Sequence, residues 1–274
     1  MSNPSVQSRI IQAVRGAERH DVDDCVAVEE PLEIRITREG EGGSGRAVSI
    51  TMRTPGHDRE LAAGFLYGEG LIRDRGDVVA IAPCGQSGNV IRVELPRGST
   101  LDLSRLERNF YTSSSCGVCG KASIEAVTET VPSCAVESDL RVDAALLPSL
   151  AGRARSAQQA FDQTGGLHAA TLFDANGTLL ASYEDVGRHN AMDKLVGSLF
   201  MAGGLPASRN LLLLSGRASF ELLQKAMAAG IPVVVAMGAP SSLAVELAER
   251  AGITLAGFLR ASSYNVYTHP ARLR

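Results

Sequence analysis

Asn210-Leu211-Leu212-Leu213-Leu214-Ser215-Gly216-Arg217-Ala218-Ser219 opens a pattern that the chain then repeats. Four consecutive leucines leave no polar face, so the segment reads as a strand buried on both sides. Residues 220–229 carry helical spacing and stop at Gly230, a natural helix end. Val233-Val234-Val235-Ala236 is a second buried strand, residues 242–251 a second helix ending before Gly252, and residues 253–258 a third strand. This alternation dictates right-handed crossovers and a mainly parallel sheet with helices on its faces.

The same reading extends upstream. Residues 167–173 and 178–183 flank Asn176-Gly177, a strong hairpin signal. Residues 188–201 and most of 143–161 read as helix. Residues 143–274 are therefore expected to form a three-layer α/β/α domain. Its order, a hairpin first and βα units after, is compatible with a cytidine-deaminase-like fold. Residues 23–110 are expected to form a smaller α+β domain with an antiparallel sheet. Its strands lie in the second half of residues 25–36 and at 47–52, 78–81 and 90–95, and its helix at 61–71 with Asp58 as cap. Residues 1–22 are polar and mixed, as a flexible tail is. Residues 111–142 supply a cysteine loop and the connection between domains.

Composition narrows the function classes. The chain has 274 residues, 45% hydrophobic, with a formal net charge of -3. That balance argues against sequence-blind binding of nucleic acid. Membrane-span length is reached by none of the apolar runs, and the N-terminus lacks a signal peptide's apolar core. The five cysteines are Cys25, Cys84, Cys116, Cys119 and Cys134, an odd number with no disulfide-framework spacing. A reducing, cytoplasmic location follows, with Cys25 and Cys84 expected as buried, inert thiols. Only three of the 27 basic residues are lysine; coding bias accounts for that, and phosphate recognition by guanidinium forks is the functional alternative.

Ser113-Ser114-Ser115-Cys116-Gly117-Val118-Cys119-Gly120-Lys121 carries the most explicit chemistry. Lys121 and a helix expected over residues 122–127 both favour the thiolate, the nucleophilic form. Three readings stay open: half of a zinc site, a thioredoxin-like dithiol, and a pair of transfer thiols on a loop. No second C-x-x-C completes a four-cysteine zinc site, and the glycines and serines favour transfer. A zinc deaminase is excluded by ligand order. His168-Ala169-Ala170 lacks the required glutamate, and no C-x-x-C follows it.

In open α/β sheets, ligands bind beyond the carboxyl ends of the strands. Three such ends carry small polar residues: Ser215, Gly216, Arg217 and Ser219; then Met237 to Ser242; then Arg260 to Ser263. Two run into helices, whose free N–H groups favour phosphate, and Arg217 and Arg260 add guanidinium groups. A phosphorylated, nucleotide-containing ligand is expected; the plainer alternative is a set of capped loops. Asp185, His189 and Asp193 are spaced to share a helix face, either for acid–base work or as a solvated capping network.

These stretches together resemble the formate dehydrogenase accessory sulfurtransferases, the FdhD family. The resemblance rests on Ser115-Cys116-Gly117-Val118-Cys119-Gly120, Glu60-Leu61-Ala62-Ala63-Gly64-Phe65-Leu66 with Gly68-Glu69-Gly70, and Glu184-Asp185-Val186-Gly187-Arg188-His189-Asn190-Ala191-Met192-Asp193-Lys194. Ser215-Gly216-Arg217-Ala218-Ser219, Ala239-Pro240-Ser241-Ser242-Leu243-Ala244 and Gly257-Phe258-Leu259-Arg260 complete it, in this order along nearly the whole chain. It implies the cytidine-deaminase-like fold and a persulfide on Cys116, with Cys119 as its companion. It implies transfer of sulfur from a cysteine desulfurase to the molybdenum cofactor bis-molybdopterin guanine dinucleotide, destined for formate dehydrogenase. Cofactor contacts are implied at Phe258, Leu259, Arg260, Ala261, Ser262 and Ser263, with GDP as a mimic, and a homodimer is implied as well. Ala261-Ser262-Ser263 is a mild variant of the family pattern. The rival is a non-enzymatic chaperone that binds cofactor or apoenzyme, with zinc held at the cysteines.

Overall fold

The computed structural model describes residues 4–99 and 136–274. Cys116, Cys119, Cys134 and the helix expected over residues 122–127 lie outside the described residues.

Within the described residues, a six-stranded sheet runs in the order β12-β11-β10-β9-β7-β8. Its strands are β7 (His168–Phe173), β8 (Leu179–Asp185), β9 (Leu211–Leu214), β10 (Val233–Ala236), β11 (Thr254–Gly257) and β12 (Asn265–Thr268). The pairs β9–β10 and β10–β11 are parallel, while β7, β8 and the edge strand β12 pair antiparallel. Alternate side chains of the all-apolar strands serve opposite faces. Leu212, Leu214, Val234, Ala236 and Leu255 pack in one core cluster. Leu211, Leu213, Val233, Val235 and Ala256 pack in another. That two-sided burial is the physical reason the run of leucines was readable as a central strand. The chain is of the α/β class.

Helices cover both faces. Among those described, in chain order, α1 is Asp58–Gly68, α2 Leu147–Arg155, α3 Gln159–Thr164, α4 Arg188–Ala202, α5 Phe220–Ala228 and α6 Ser242–Arg250. Side chains of α4, α5 and α6 fill the first cluster, and Leu147, Leu150 and Ala154 of α2 fill the second. Val136 enters the first cluster and Leu140 and Val142 the second, so the packed unit reaches back before residue 143.

The N-terminal part differs from expectation in four ways. Residues 1–22 were expected as a flexible tail; instead β1 (Val6–Arg15) and β2 (Glu18–Ala27) pair along their full length. Apart from partly buried Val6, Ala13, Cys25 and Ala27 they are exposed, so no buried face leaves a hydrophobic signature. The smaller sheet, in the order β4-β3-β6-β5, comprises β3 (Glu30–Arg38), β4 (Arg46–Arg53), β5 (Ala80–Pro83) and β6 (Val90–Leu95). It is mixed rather than antiparallel, because β3 and β6 pair in parallel. Asp58 does not cap α1: its carboxylate binds the buried Arg53 guanidinium at 2.9 and 3.1 Å, and the cap position falls to left-handed His57. Cys25 and Cys84 are partly exposed free thiols rather than buried ones.

Candidate functional site

The loops beyond β9, β10 and β11 continue the parallel pairing of the strands that launch them. Gly238 N–H donates to Gly216 O at 2.9 Å, Ser241 N–H to Ala218 O at 3.0 Å and Phe258 N–H to Gly238 O at 3.0 Å. A Cβ on Gly238 would stand 3.0 Å from Gly216 backbone atoms, so glycine is what allows the first two loops to lie side by side. Phe258 follows β11 with φ 53°, a left-handed conformation unusual for a bulky residue, and the residue is 41% exposed. Strain of that kind concentrates at functional sites.

Two adjoining cavities flank Met237 at this edge. One, about 660 Å³, is lined by Ser215, His168, Gln158, Arg155, Phe161 and Met237 among others. The second, about 560 Å³, is lined by Leu259, Arg260, Ala261, Met237 and residues of the α2 segment. Both share Ala151, Gly152 and Met237. Their size is that of small-molecule sites.

The residues expected to bind ligand are thus brought to one edge of the sheet, with different roles. Ser215 Oγ accepts from Ala169 N–H at 2.8 Å and faces the first cavity. Leu259, Arg260 and Ala261 line the second. Arg260 spends Nη1 on the Met237 and Leu259 carbonyls, both at 2.8 Å, so its guanidinium is held in place beside that cavity. Arg217 is exposed and makes no ion pair among the described residues. Gly216 lies against the His168 ring, where a Cβ would come within 3.3 Å of Nδ1. Ser219 precedes α5, its hydroxyl 3.4 Å from His189 Nε2. Phe258, Ser262 and Ser263 are exposed beside the cavities rather than among their lining residues.

The Asp185, His189 and Asp193 cluster does not act as one unit. Asp185 ends β8 and locks the two sheets together: it accepts from Thr54 N–H at 3.1 Å and pairs with buried Lys194 at 2.7 Å. Lys194 also donates to Thr54 O at 2.8 Å, and Asn190 Nδ2 donates to Met52 O at 2.7 Å. Asp193 pairs with Lys225 of α5 at 2.7 Å, both buried. Burial opposes the Lys225 ammonium, but Asp193, Glu221 and Glu69 outweigh it and hold its pKa above the usual lysine range. Burial also pushes the Asp193 carboxyl up, against the pull of Lys225. His189 is pushed down to about 3, first by burial, then by Arg188, Lys225 and His168, so it is neutral near pH 7. Glu221 Oε2 lies 3.3 Å from it but outside hydrogen-bonding geometry.

Sequence reasoning missed Gln158 and the cavity-lining position of His168. Gln158 sits between two helices where residues 143–161 read as mostly helix, and His168 had been weighed only as a deaminase ligand. Among the described residues, no trio of His, Cys, Asp or Glu is arranged to hold a metal, and no helix is long and apolar enough to cross a membrane.

Known proteins match this arrangement along nearly its full length. Residues 27–274 match the FdhD/NarQ family. A protein of Mycolicibacterium paratuberculosis named sulfur carrier protein FdhD is 52% identical over 257 residues, covering 91% of this chain and 92% of its own. A protein of the same name from Sulfolobus acidocaldarius is 43% identical over 263 residues, covering 96% of each chain. A Desulfotalea psychrophila protein, crystallised as a candidate formate dehydrogenase accessory protein, superposes with a TM-score of 0.75 at 25% identity. That alignment covers 99% of this chain and all of the other.

Proposed function

Because the chain belongs to the FdhD/NarQ family, we propose that it is a sulfur carrier that serves formate dehydrogenase, taking sulfur on Cys116 and delivering it to a nucleotide-bearing molybdenum cofactor. The observation that carries this reading is the convergence of the β9, β10 and β11 loops on two adjoining cavities, with Arg260 fixed beside one of them. The residues fit bis-molybdopterin guanine dinucleotide as cargo. Cavities at the strand ends offer room for flat rings, while Arg260 and the exposed Arg217 offer guanidinium groups to phosphates. GDP would occupy part of the same surface. Relatives named sulfur carrier protein support the sulfur half of the reading.

Transfer proceeds by thiol–persulfide exchange. The Cys116 thiolate takes the terminal sulfur of a cysteine desulfurase persulfide; one S–S bond breaks, another forms, and the donor departs as thiolate. Attack by Cys119 on the inner sulfur of the Cys116 persulfide then expels the terminal sulfur as sulfide and leaves a Cys116–Cys119 disulfide. The thiol pair supplies the two electrons that the outgoing sulfide carries. Carriage of this kind needs a cytoplasmic, reducing setting to restore the dithiol. The assembly is a homodimer in this reading, as the family resemblance implies.

The test is Cys116→Ala. A folded variant, with wild-type melting temperature, should yield client formate dehydrogenase without activity. An active client would contradict the persulfide role.

A further inference from the structure

The β1–β2 ribbon stands apart from the packed cores. Its main contacts with other elements are with α3 at its base, where a Cβ on Gly166 would stand 3.6 Å from that of Ala27. Ser5, just before β1, donates from Oγ to Pro55 O at 3.1 Å. Farther out, among the described residues, the side-chain hydrogen bonds and ion pairs of residues 9–24 stay inside the ribbon. Arg9 meets Gln7, Arg19 meets Gln12, His20 meets Glu18, and Asp24 accepts from the Cys25 N–H. A two-stranded ribbon is marginal in water without a third strand or a helix to pack on. Yet Ile10, 78% exposed, and Val14, 58%, are the two most exposed large hydrophobic side chains among the described residues.

The two edges of the ribbon differ. β2 carries Glu18, Asp21, Asp23 and Asp24 against Arg19, so a second β2 brought alongside would be repelled. Charge of this kind is how proteins close a strand edge. β1 carries Arg9 and Arg15 and no acid. Backbone parity decides which of its groups are free. Val28 N–H donates to Ser5 O at 3.0 Å, and antiparallel bonding alternates along the ribbon. The odd-numbered residues of β1 therefore bond to β2, while Val6, Ser8, Ile10, Gln12 and Val14 turn their N–H and C=O groups to the open edge. That series is symmetric about Ile10. Set antiparallel to itself, it places Val6 against Val14, Ser8 against Gln12, and Ile10 against Ile10. Apolar meets apolar and polar meets polar. Arg9 falls opposite Ile11, and neither arginine opposes an arginine.

We infer that the open edge of β1 is an interface between two copies of this chain, paired antiparallel across a two-fold axis at Ile10 into a β2-β1-β1-β2 sheet. A two-fold contact uses the same patch twice, which is what a self-complementary strand edge supplies. Pairing gives each ribbon the third strand it lacks. It also leaves the acids of β2 on the outer edges of the joined sheet. The inference rests on the homodimer of the reading above and deepens it by naming the surface.

The experiment is sedimentation equilibrium of the full chain over a range of concentrations, with melting temperature as the check on folding. Wild type should sediment as a dimer. Ile10→Pro removes an outward N–H that β2 does not use, so the ribbon's own ladder is kept. Two copies then lose two hydrogen bonds, and the dimer should weaken about tenfold or more. Ile10→Cys serves should Ile10→Pro fail to fold. Under mild oxidation the introduced thiols of two copies should join in a disulfide, located by peptide mass mapping, because directly opposed residues lie within disulfide reach. Ile11→Cys, opposite Arg9 of the second copy, should link far less. A wild-type dimer that Ile10→Pro leaves unchanged overturns the ribbon interface, as does linkage of Ile11→Cys in preference to Ile10→Cys; the homodimer then stands on another surface. A wild-type chain that is monomeric throughout overturns both.

Discussion

Gly64 of α1 and Gly197 of α4 meet at the crossing that joins the smaller sheet to the α/β unit. A Cβ on Gly197 would stand 2.7 Å from the Gly64 nitrogen, and one on Gly64 2.8 Å from the Gly197 nitrogen. The nearest obstacles are the backbone carbonyls of Glu60 and Asp193, which cannot swing aside as a side chain would. The close approach is what lets Lys194 and Asp185 reach Thr54 across the seam.

Gly197→Ala should therefore destabilise the protein although alanine is the better helix former. Alanine gains about 1 kcal/mol of helix propensity, while forcing two backbones apart in a packed core costs typically 1–3 kcal/mol and at times more. A fall in the denaturation midpoint of guanidinium unfolding is expected. A rise would show that the helices separate freely.

The fold was legible where burial imposes a pattern. β9, β10 and β11 lie buried on both faces, and their apolar runs announced a central parallel sheet together with the loops that line the cavities. Asn176-Gly177 announced the β7–β8 hairpin through its turn chemistry. The β1–β2 hairpin was not legible, because its side chains face solvent on both sides. Nor was the β3–β6 parallel pairing, which joins strands separated by β4, α1 and β5 and leaves no local mark. Asp58 looked like a cap, but a bidentate tie to buried Arg53 is the stronger interaction. At the site, loop residues were identifiable by type, whereas Gln158 and His168 become notable only once the cavity they line is known.

His189 gives the structure a calculable acid response. Its pKa is about 3 in the folded chain and near 6.5 unfolded, so between those values the unfolded state binds more protons. Stability from this residue is fully present above pH 6.5 and is lost progressively as pH falls toward 3. His189→Gln should flatten the dependence of unfolding free energy on pH in that window by up to about one proton. An unchanged slope, measured by denaturant unfolding at successive pH values, would mean that His189 is not held neutral.

Nucleotide binding should separate from sulfur loading. GDP in hundredfold excess over its dissociation constant should stabilise the chain by about 2.7 kcal/mol, seen as a raised melting temperature. Arg217→Ala, which removes an exposed guanidinium, should weaken GDP about tenfold or more, the usual loss for a charge-assisted contact. Persulfide loading should remain at the wild-type level. If loading fails while GDP affinity holds, Arg217 serves the thiols and not the cargo.

Sulfur carriage itself is tested most directly by intact mass spectrometry after incubation with a cysteine desulfurase and cysteine. The wild-type chain should gain the mass of one sulfur atom, removable by a reducing thiol, and Cys116→Ala should gain none. A wild-type chain that takes up no sulfur, or a Cys116→Ala chain that loads as well as wild type, would contradict a persulfide carried on Cys116.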